Sequence, residues 1–209
     1  DGLQAVMCAY LPLIHAPPTA CHDAHPSIKY TELEASMYLA LRPLPHIEAA
    51  VVVNVVELRA AAEAAGTIGF VAVHIRRTDH IDVFGDLTPD ASFHRFLDAH
   101  APAPIYVATD NAQTQAALVA RYGSRVVARP AIGDVAADAA PDARHTPVAA
   151  AVVDMYTCAA ATAFKGTKFS SFSDAISHLR TARGVDCNAD EHVVRSLGGK
   201  HYDETDYSL

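Results

Sequence analysis

The sequence predicts an α/β fold, a Rossmann-like parallel sheet with flanking helices, and three observations carry that expectation. Ile68 to Ile75 is a short, nearly continuous apolar run rich in β-branched residues, the pattern of a strand covered on both faces. Runs of this kind alternate with segments of helical period in the order β-α-β-α-β, and strands separated by helices pair in parallel through right-handed crossovers. Polar and cationic residues begin where each strand-like run stops, and that edge is where open α/β sheets bind their ligands.

Taken in order, residues 1–45 are the least regular, with prolines at 12, 17, 18, 26, 43 and 45 breaking two short apolar patches. From His46 to Ala65 apolar residues recur at helical spacing (Ile47, Val51, Val55, Leu58, Ala62), and Gly66 is a helix terminator. The strand over Ile68–Ile75 follows. Thr88, Pro89 and Asp90 read as cap, N1 proline and first-turn acid of a helix carrying Phe93, Phe96 and Leu97. Ile105–Ala108 reads as the second strand, Asp110–Tyr122 as a helix ended by Gly123, and Arg125–Ala128 as the third strand. Residues 133–144 are a polar Ala/Asp/Pro loop without apolar period. Thr146-Pro147 opens a further helix to about Ala161, Ala163–Lys165 reads as a brief strand, and Ser171 or Ser173 caps a helix reaching Arg183. The resulting division is an irregular segment 1–45, an α/β domain 46–183 and a tail 184–209.

Composition agrees with a folded chain: 51% of its 209 residues are hydrophobic and 19% charged, whereas disordered chains are polar and charge-rich. The alanine content favours helix. A net charge of −8 argues against nucleic-acid binding, which needs a surplus of Lys and Arg. No run approaches the roughly 18 apolar residues of a membrane span, and the start carries no charged-then-apolar leader. Asp1 in place of Met is compatible with a processed form or a fragment. Cys8, Cys21, Cys158 and Cys187 contain no C-x-x-C pair, their state as thiols or disulfides stays open, and the cellular compartment with it. Cys8, His15, Cys21, His22 and His25 match no common zinc spacing, and no metal site is expected.

The strand-end rule selects residues before any motif is consulted. Beyond the first strand stand Arg76, Arg77, Asp79, His80 and Asp82; beyond the second, Thr109 and Asp110; beyond the third, Arg129; beyond the fourth, Gly166 to Ser173. Two adjacent arginines beside a core need a charge partner, and a diphosphate suits their bidentate forks; the plainer reading pairs Arg76 with Asp79 and leaves Arg77 on the surface. Phe169-Ser170-Ser171-Phe172-Ser173 before a helix offers hydroxyls and unpaired N–H groups to an anion, although the same serines would also serve as caps alone. Neither G-x-x-x-x-G-K-[ST] nor G-x-G-x-x-G occurs.

The run Val71-Ala72-Val73-His74-Ile75-Arg76-Arg77-Thr78-Asp79 resembles the H-x-R-R-x-D motif of the α1,6- and α1,2-fucosyltransferases and the related protein O-fucosyltransferases, which use GDP-fucose. Ile105-Tyr106-Val107-Ala108-Thr109-Asp110 resembles the family's strand ending in (Ala/Ser/Thr)-Asp. Val152-Val153-Asp154-Met155 with Phe169-Ser170-Ser171-Phe172 resembles its third motif. The resemblance, over roughly residues 68–180, implies the nucleotide-sugar-binding domain of a GT-B glycosyltransferase. It implies a metal-independent transfer of fucose from GDP-fucose to a glycan or protein hydroxyl, without a resident cofactor.

By the same resemblance Arg77, or else Arg76, clamps the β-phosphate of the departing GDP, and His74 orients the diphosphate. Asp154 accepts from the guanine N1–H and amino group, Ser170 and Ser171 bind phosphate, Asp110 closes the second motif, and Asp79 braces the arginines. A glutamate base found in some members has no counterpart over residues 80–86, where His80, Asp82 and Asp86 are the substitutes. Family members also carry an N-terminal acceptor-side domain with G-x-G-N, of which 1–45 would be a remnant. Segments 1–45 and 184–209 are candidates for contacting a partner chain. Two function classes follow, an active transferase and a non-catalytic GDP-sugar-binding or interaction protein on the same fold.

Overall fold

A computed structural model describes residues 37, 38, 40–77, 88–127 and 147–182. It is an α/β arrangement in the order α1 (Pro45–Ala64), β1 (Val71–Ile75), α2 (Asp90–Ala99), β2 (Ile105–Thr109), α3 (Ala112–Tyr122), a 3₁₀ turn (Gly123–Arg125), α4 (Val148–Ala159), β3 (Ala163–Lys165) and α5 (Ser171–Ala182). The irregular segment expected over 1–45 lies outside these residues up to 36, as does the tail 184–209.

The three strands form one parallel sheet in the order β2-β1-β3, with Val71 opposite both Ile105 and Ala163. Strand alternation then sorts the side chains into two layers. Ala72, Tyr106, Ala108 and Phe164 pack with Val51, Val55 and Leu58 of α1, Val153 and Tyr156 of α4 and Ile176 and Leu179 of α5. Val71, Val73, Ile75, Ile105 and Val107 pack with Phe93 and Leu97 of α2 and Leu118 of α3. Every residue of β1 and β2 is buried, which explains why their sequences read as continuous apolar runs rather than alternating ones.

Local chemistry sets the boundaries. Pro45 opens α1, where a missing N–H costs nothing, and Gly66 takes the positive φ of 68° that ends it. The first strand begins at Val71, three residues later than the apolar run predicts. Ile68 is exposed, and a Cβ on Gly69 would come within 2.5 Å of Thr162 Cγ2, so the chain passes Thr162 here before it enters the sheet. The α2 start also differs: Pro89 is the N-cap, while Thr88 Oγ1 accepts from Lys168 N at 3.0 Å and so ties the loop after β3 to the loop before α2. α3 begins at Ala112, two residues after the expected Asp110, and Asn111 caps it, accepting from Thr114 N at 2.8 Å.

The third strand expected over Arg125–Ala128 is not a strand among the described residues. Only Val126 forms a bridge, to Ile105. Gly123–Arg125 winds into the 3₁₀ turn, and the Arg125 guanidinium is spent on the carbonyls of Ala103 and Leu97, both at 3.0 Å. Ala128 lies outside the described residues. Ala163–Lys165 is a strand as expected. Ser171 is the first residue of α5 rather than its cap. Ser170 Oγ lies 3.5 Å from Ser173 N in the capping position. No helix among the described residues is long and apolar enough to cross a membrane.

Candidate functional site at the carboxyl edge of the sheet

The order β2-β1-β3 means that the chain leaves β1 toward β2 on one side and later returns to place β3 on the other. The connections diverge at β1, and the crevice above the carboxyl ends of β1 and β3 is the switch point at which open α/β sheets bind ligands. β3 ends at Lys165 opposite Val73, whereas β1 continues to Ile75. The shortfall is two residues, roughly 7 Å at strand rise.

A side chain continues the pairing across that gap. Thr167 Oγ1 accepts from Arg76 N and donates to the His74 carbonyl, each at 3.0 Å, so one hydroxyl meets a backbone group of β1 and one just past its end. Thr167 N donates to Ser173 Oγ at 3.0 Å, and Ser173 Oγ lies 2.7 Å from His74 Nδ1. Gly166 permits this approach, because a Cβ there would stand 2.6 Å from Ser173 Cβ. The His74 ring also meets Phe172 at a centroid distance of 4.7 Å. Phe169, just before α5, has a φ of 59°, the single positive value for a non-glycine among the described residues. Such a backbone costs on the order of 1–3 kcal/mol and persists where surrounding structure imposes it.

Both arginines follow directly. Asp110 grips the pair with its two oxygens: Oδ1 accepts from Arg77 N at 2.9 Å, and Oδ2 lies 3.3 Å from Arg76 Nε. Side-chain exposure is 14% for Arg76, 7% for Asp110 and 11% for Arg77, so neither arginine is the surface residue of the plainer reading. Arg77 Nη2 reaches Thr88 O at 3.1 Å and Asp90 Oδ1 at 2.5 Å, and its guanidinium sits 5.7 Å from the Phe93 ring centroid. Asp90 itself is 70% exposed. An anion with better bidentate geometry can therefore compete for this guanidinium, since an exposed carboxylate partner gains little from the pair.

Of the expected site residues, the structure brings together His74, Arg76, Arg77, Asp110, Ser170 and Ser171. It does not bring Asp154 to them. Asp154 is buried in α4, where it accepts from the Tyr106 hydroxyl at 2.7 Å. Asn54 Nδ2 lies 3.3 Å from that hydroxyl and 3.4 Å from Thr157 Oγ1. A carboxylate in an apolar layer must find donors, and this polar knot between α1, β2 and α4 supplies one. Asp79, His80 and Asp82 lie outside the described residues, as does Asp86, so the brace assigned to Asp79 and the candidate bases are not located. Two residues have roles that the sequence does not assign: Asp110, expected as the close of the second motif, holds both arginines, and Thr167, within the expected stretch from Gly166 to Ser173, links β1 to α5; a lone Thr after a short strand carries no sequence signal of that role. Lys165, buried with Nζ 5.7 Å from the Phe93 centroid, adds a cation at the end of β3.

No group of three or more His, Cys, Asp or Glu residues with metal-holding geometry occurs among the described residues. Neither a protein-family model nor a curated protein matches the chain.

Proposed function

We propose that this chain binds a nucleoside-diphosphate sugar, of the GDP-fucose type, in the crevice above β1 and β3 and that it acts as a glycosyltransferase toward a glycan or protein hydroxyl. The observation that carries the reading is the pair of largely buried arginines held at the switch point of a parallel sheet by one buried carboxylate, Asp110. Guanidinium forks there meet a diphosphate, and the amino end of α5 adds its partial positive charge and the Ser171 hydroxyl. The strained Phe169 and the arginine cluster occupy the same edge, where strain commonly accompanies function.

In the transfer step the bond between the sugar and the β-phosphate oxygen breaks while the acceptor hydroxyl attacks the sugar carbon and loses its proton to a base. His80 and Asp82 are the proposed bases. Negative charge rises on the departing diphosphate, and Arg77, oriented by Thr88 O, Asp90 and Phe93, or Arg76, oriented by Asp110, lowers the barrier because its charge is already in place. The guanine-reading role of Asp154 is a separate proposal that requires the base to reach the Tyr106 knot.

Calorimetry with GDP, UDP, ADP and GDP-fucose tests donor binding. GDP and GDP-fucose should bind, in the presence of EDTA as in its absence. Absence of heat with every nucleotide would end the donor reading. Release of GDP from GDP-fucose with and without a glycan acceptor separates a transferase from a non-catalytic binder.

A further inference from the structure

We infer that Ser173 is a positioning residue that sets the tautomer of His74, holding its ring neutral with the proton on Nε2, so that His74 serves the site as an uncharged N–H donor to an anionic oxygen. This rests on the donor-binding reading for the identity of the oxygen, a phosphate oxygen of the nucleoside-diphosphate sugar. The tautomer itself follows from the geometry.

A serine hydroxyl carries one proton and two acceptor sites. Ser173 is fully buried, and Thr167 N–H already donates to its Oγ at 3.0 Å. The hydroxyl proton must then go to an acceptor, and among the described residues the partner within reach is His74 Nδ1, at 2.7 Å. Were Nδ1 protonated, two N–H groups would converge on Ser173 Oγ and the hydroxyl proton would be buried without an acceptor, an arrangement folded proteins avoid. Both the Nδ1–H tautomer and the imidazolium are disfavoured on that count. The neutral ring with hydrogen on Nε2 satisfies every atom of the Ser173 hydroxyl.

The arrangement is built rather than incidental. Ser173 Oγ is aimed by α5, whose backbone can approach only because residue 166 is glycine. The ring plane is set by Phe172 on the same helix. His74 is in turn fixed at its backbone, where its carbonyl accepts from Thr167 Oγ1. Thr167 thus touches both ends of the pair: its hydroxyl holds the His74 main chain while its N–H donates to Ser173 Oγ, leaving the hydroxyl proton for His74 Nδ1. A neutral donor beside two arginines binds an anionic oxygen without adding a third full charge to be desolvated.

The experiment is long-range ¹H–¹⁵N correlation spectroscopy of the full chain labelled at histidine, with the His74 signals assigned by their loss in His74→Gln. Wild type should show an unprotonated Nδ1 and a protonated Nε2 at neutral pH. In Ser173→Ala, which keeps the Cβ and its packing, the His74 signals should move to mixed tautomers, and the Kd for GDP-fucose should rise about three- to tenfold, the effect of misaligning one hydrogen bond. A protonated Nδ1 in wild type overturns the assignment, and this reading is made on the wild-type protein whether or not Ser173→Ala folds. An Nε2–H tautomer that persists unchanged in a folded Ser173→Ala also overturns it, because Ser173 would then not be the residue that sets it. If wild type shows the expected tautomer but binds neither GDP nor GDP-fucose, the donor-binding reading fails while the Ser173 assignment stands.

Discussion

Replacing Asp110 tests whether one carboxylate organises the arginine pair. Asp110→Ala removes the acceptor of Arg77 N–H at 2.9 Å and the carboxylate 3.3 Å from Arg76 Nε. A buried N–H that loses its acceptor costs about 1–3 kcal/mol, and a hydrogen bond to a charged group contributes about 1.5–3 kcal/mol. Removing one partner from a buried pair costs about 3–5 kcal/mol; with Arg76 14% exposed, the lower end applies, about 3 kcal/mol. Asp110→Asn keeps Oδ1 as the acceptor for Arg77 N–H but puts an NH2 donor where Oδ2 faced Arg76 Nε, so it loses the Arg76 contact alone and should cost about half as much. The assay is urea unfolding followed by circular dichroism. With a slope of about 2 kcal/mol/M, the alanine variant should unfold at a midpoint roughly 1.5 M lower, the asparagine variant roughly 0.7 M lower. Equal midpoints for the two variants would refute the division of labour between Oδ1 and Oδ2. An alanine midpoint within 0.2 M of wild type would refute the grip altogether.

Two further outcomes follow. Arg77→Lys should leave the far-ultraviolet spectrum unchanged and slow sugar transfer by roughly 10², with GDP affinity falling less, because a lysine cannot span Thr88 O, Asp90 and a phosphate as a planar fork does; normal turnover in Arg77→Lys with a dead Arg76→Lys would exchange the roles of the two. Tyr106→Phe should destabilise the fold by about 1.5–3 kcal/mol through the donor lost to Asp154, read by the same urea titration, while GDP affinity stays within twofold; a tenfold loss of GDP binding would instead connect the Asp154 knot to the donor site.

Much of the scaffold is legible in the sequence because burial on both faces writes itself as an unbroken apolar run. Val71–Ile75 and Ile105–Thr109 are both of this kind, and the helix before the first and the helix after the second are ended by Gly66 and Gly123. Failures occur where a side chain outbids the local pattern. Arg125 looks like the start of a strand, but its guanidinium finds two carbonyls at the end of the α2 layer, and the backbone turns instead. Thr88 has the chemistry of a cap and is used to fasten the loop at Lys168. The candidate site is half legible. Position at the strand ends selects Arg76, Arg77 and Asp110, yet proximity along the chain favours Asp79 as their brace, and only the β1–β2 register places Asp110 next to Arg77. Asp154 is the converse case. Its motif context suggests a ligand contact, while the helix phase of α4 turns it into the layer occupied by Tyr106.

The shortness of β3 has a mechanical side. Up to Val73 the β1–β3 seam is closed by main-chain groups, which can be separated only by unzipping the sheet. Past that point the seam is closed by the Thr167 hydroxyl, which hangs on a single rotatable bond. Turning χ1 of this one residue releases the loop after β3 from the main chain of His74 and Arg76 without disturbing any strand, while Ser173 still holds the His74 ring. The sheet is thus stitched by main-chain pairing up to Val73 and buttoned beyond it by one side chain, so this edge can open while the strands stay paired.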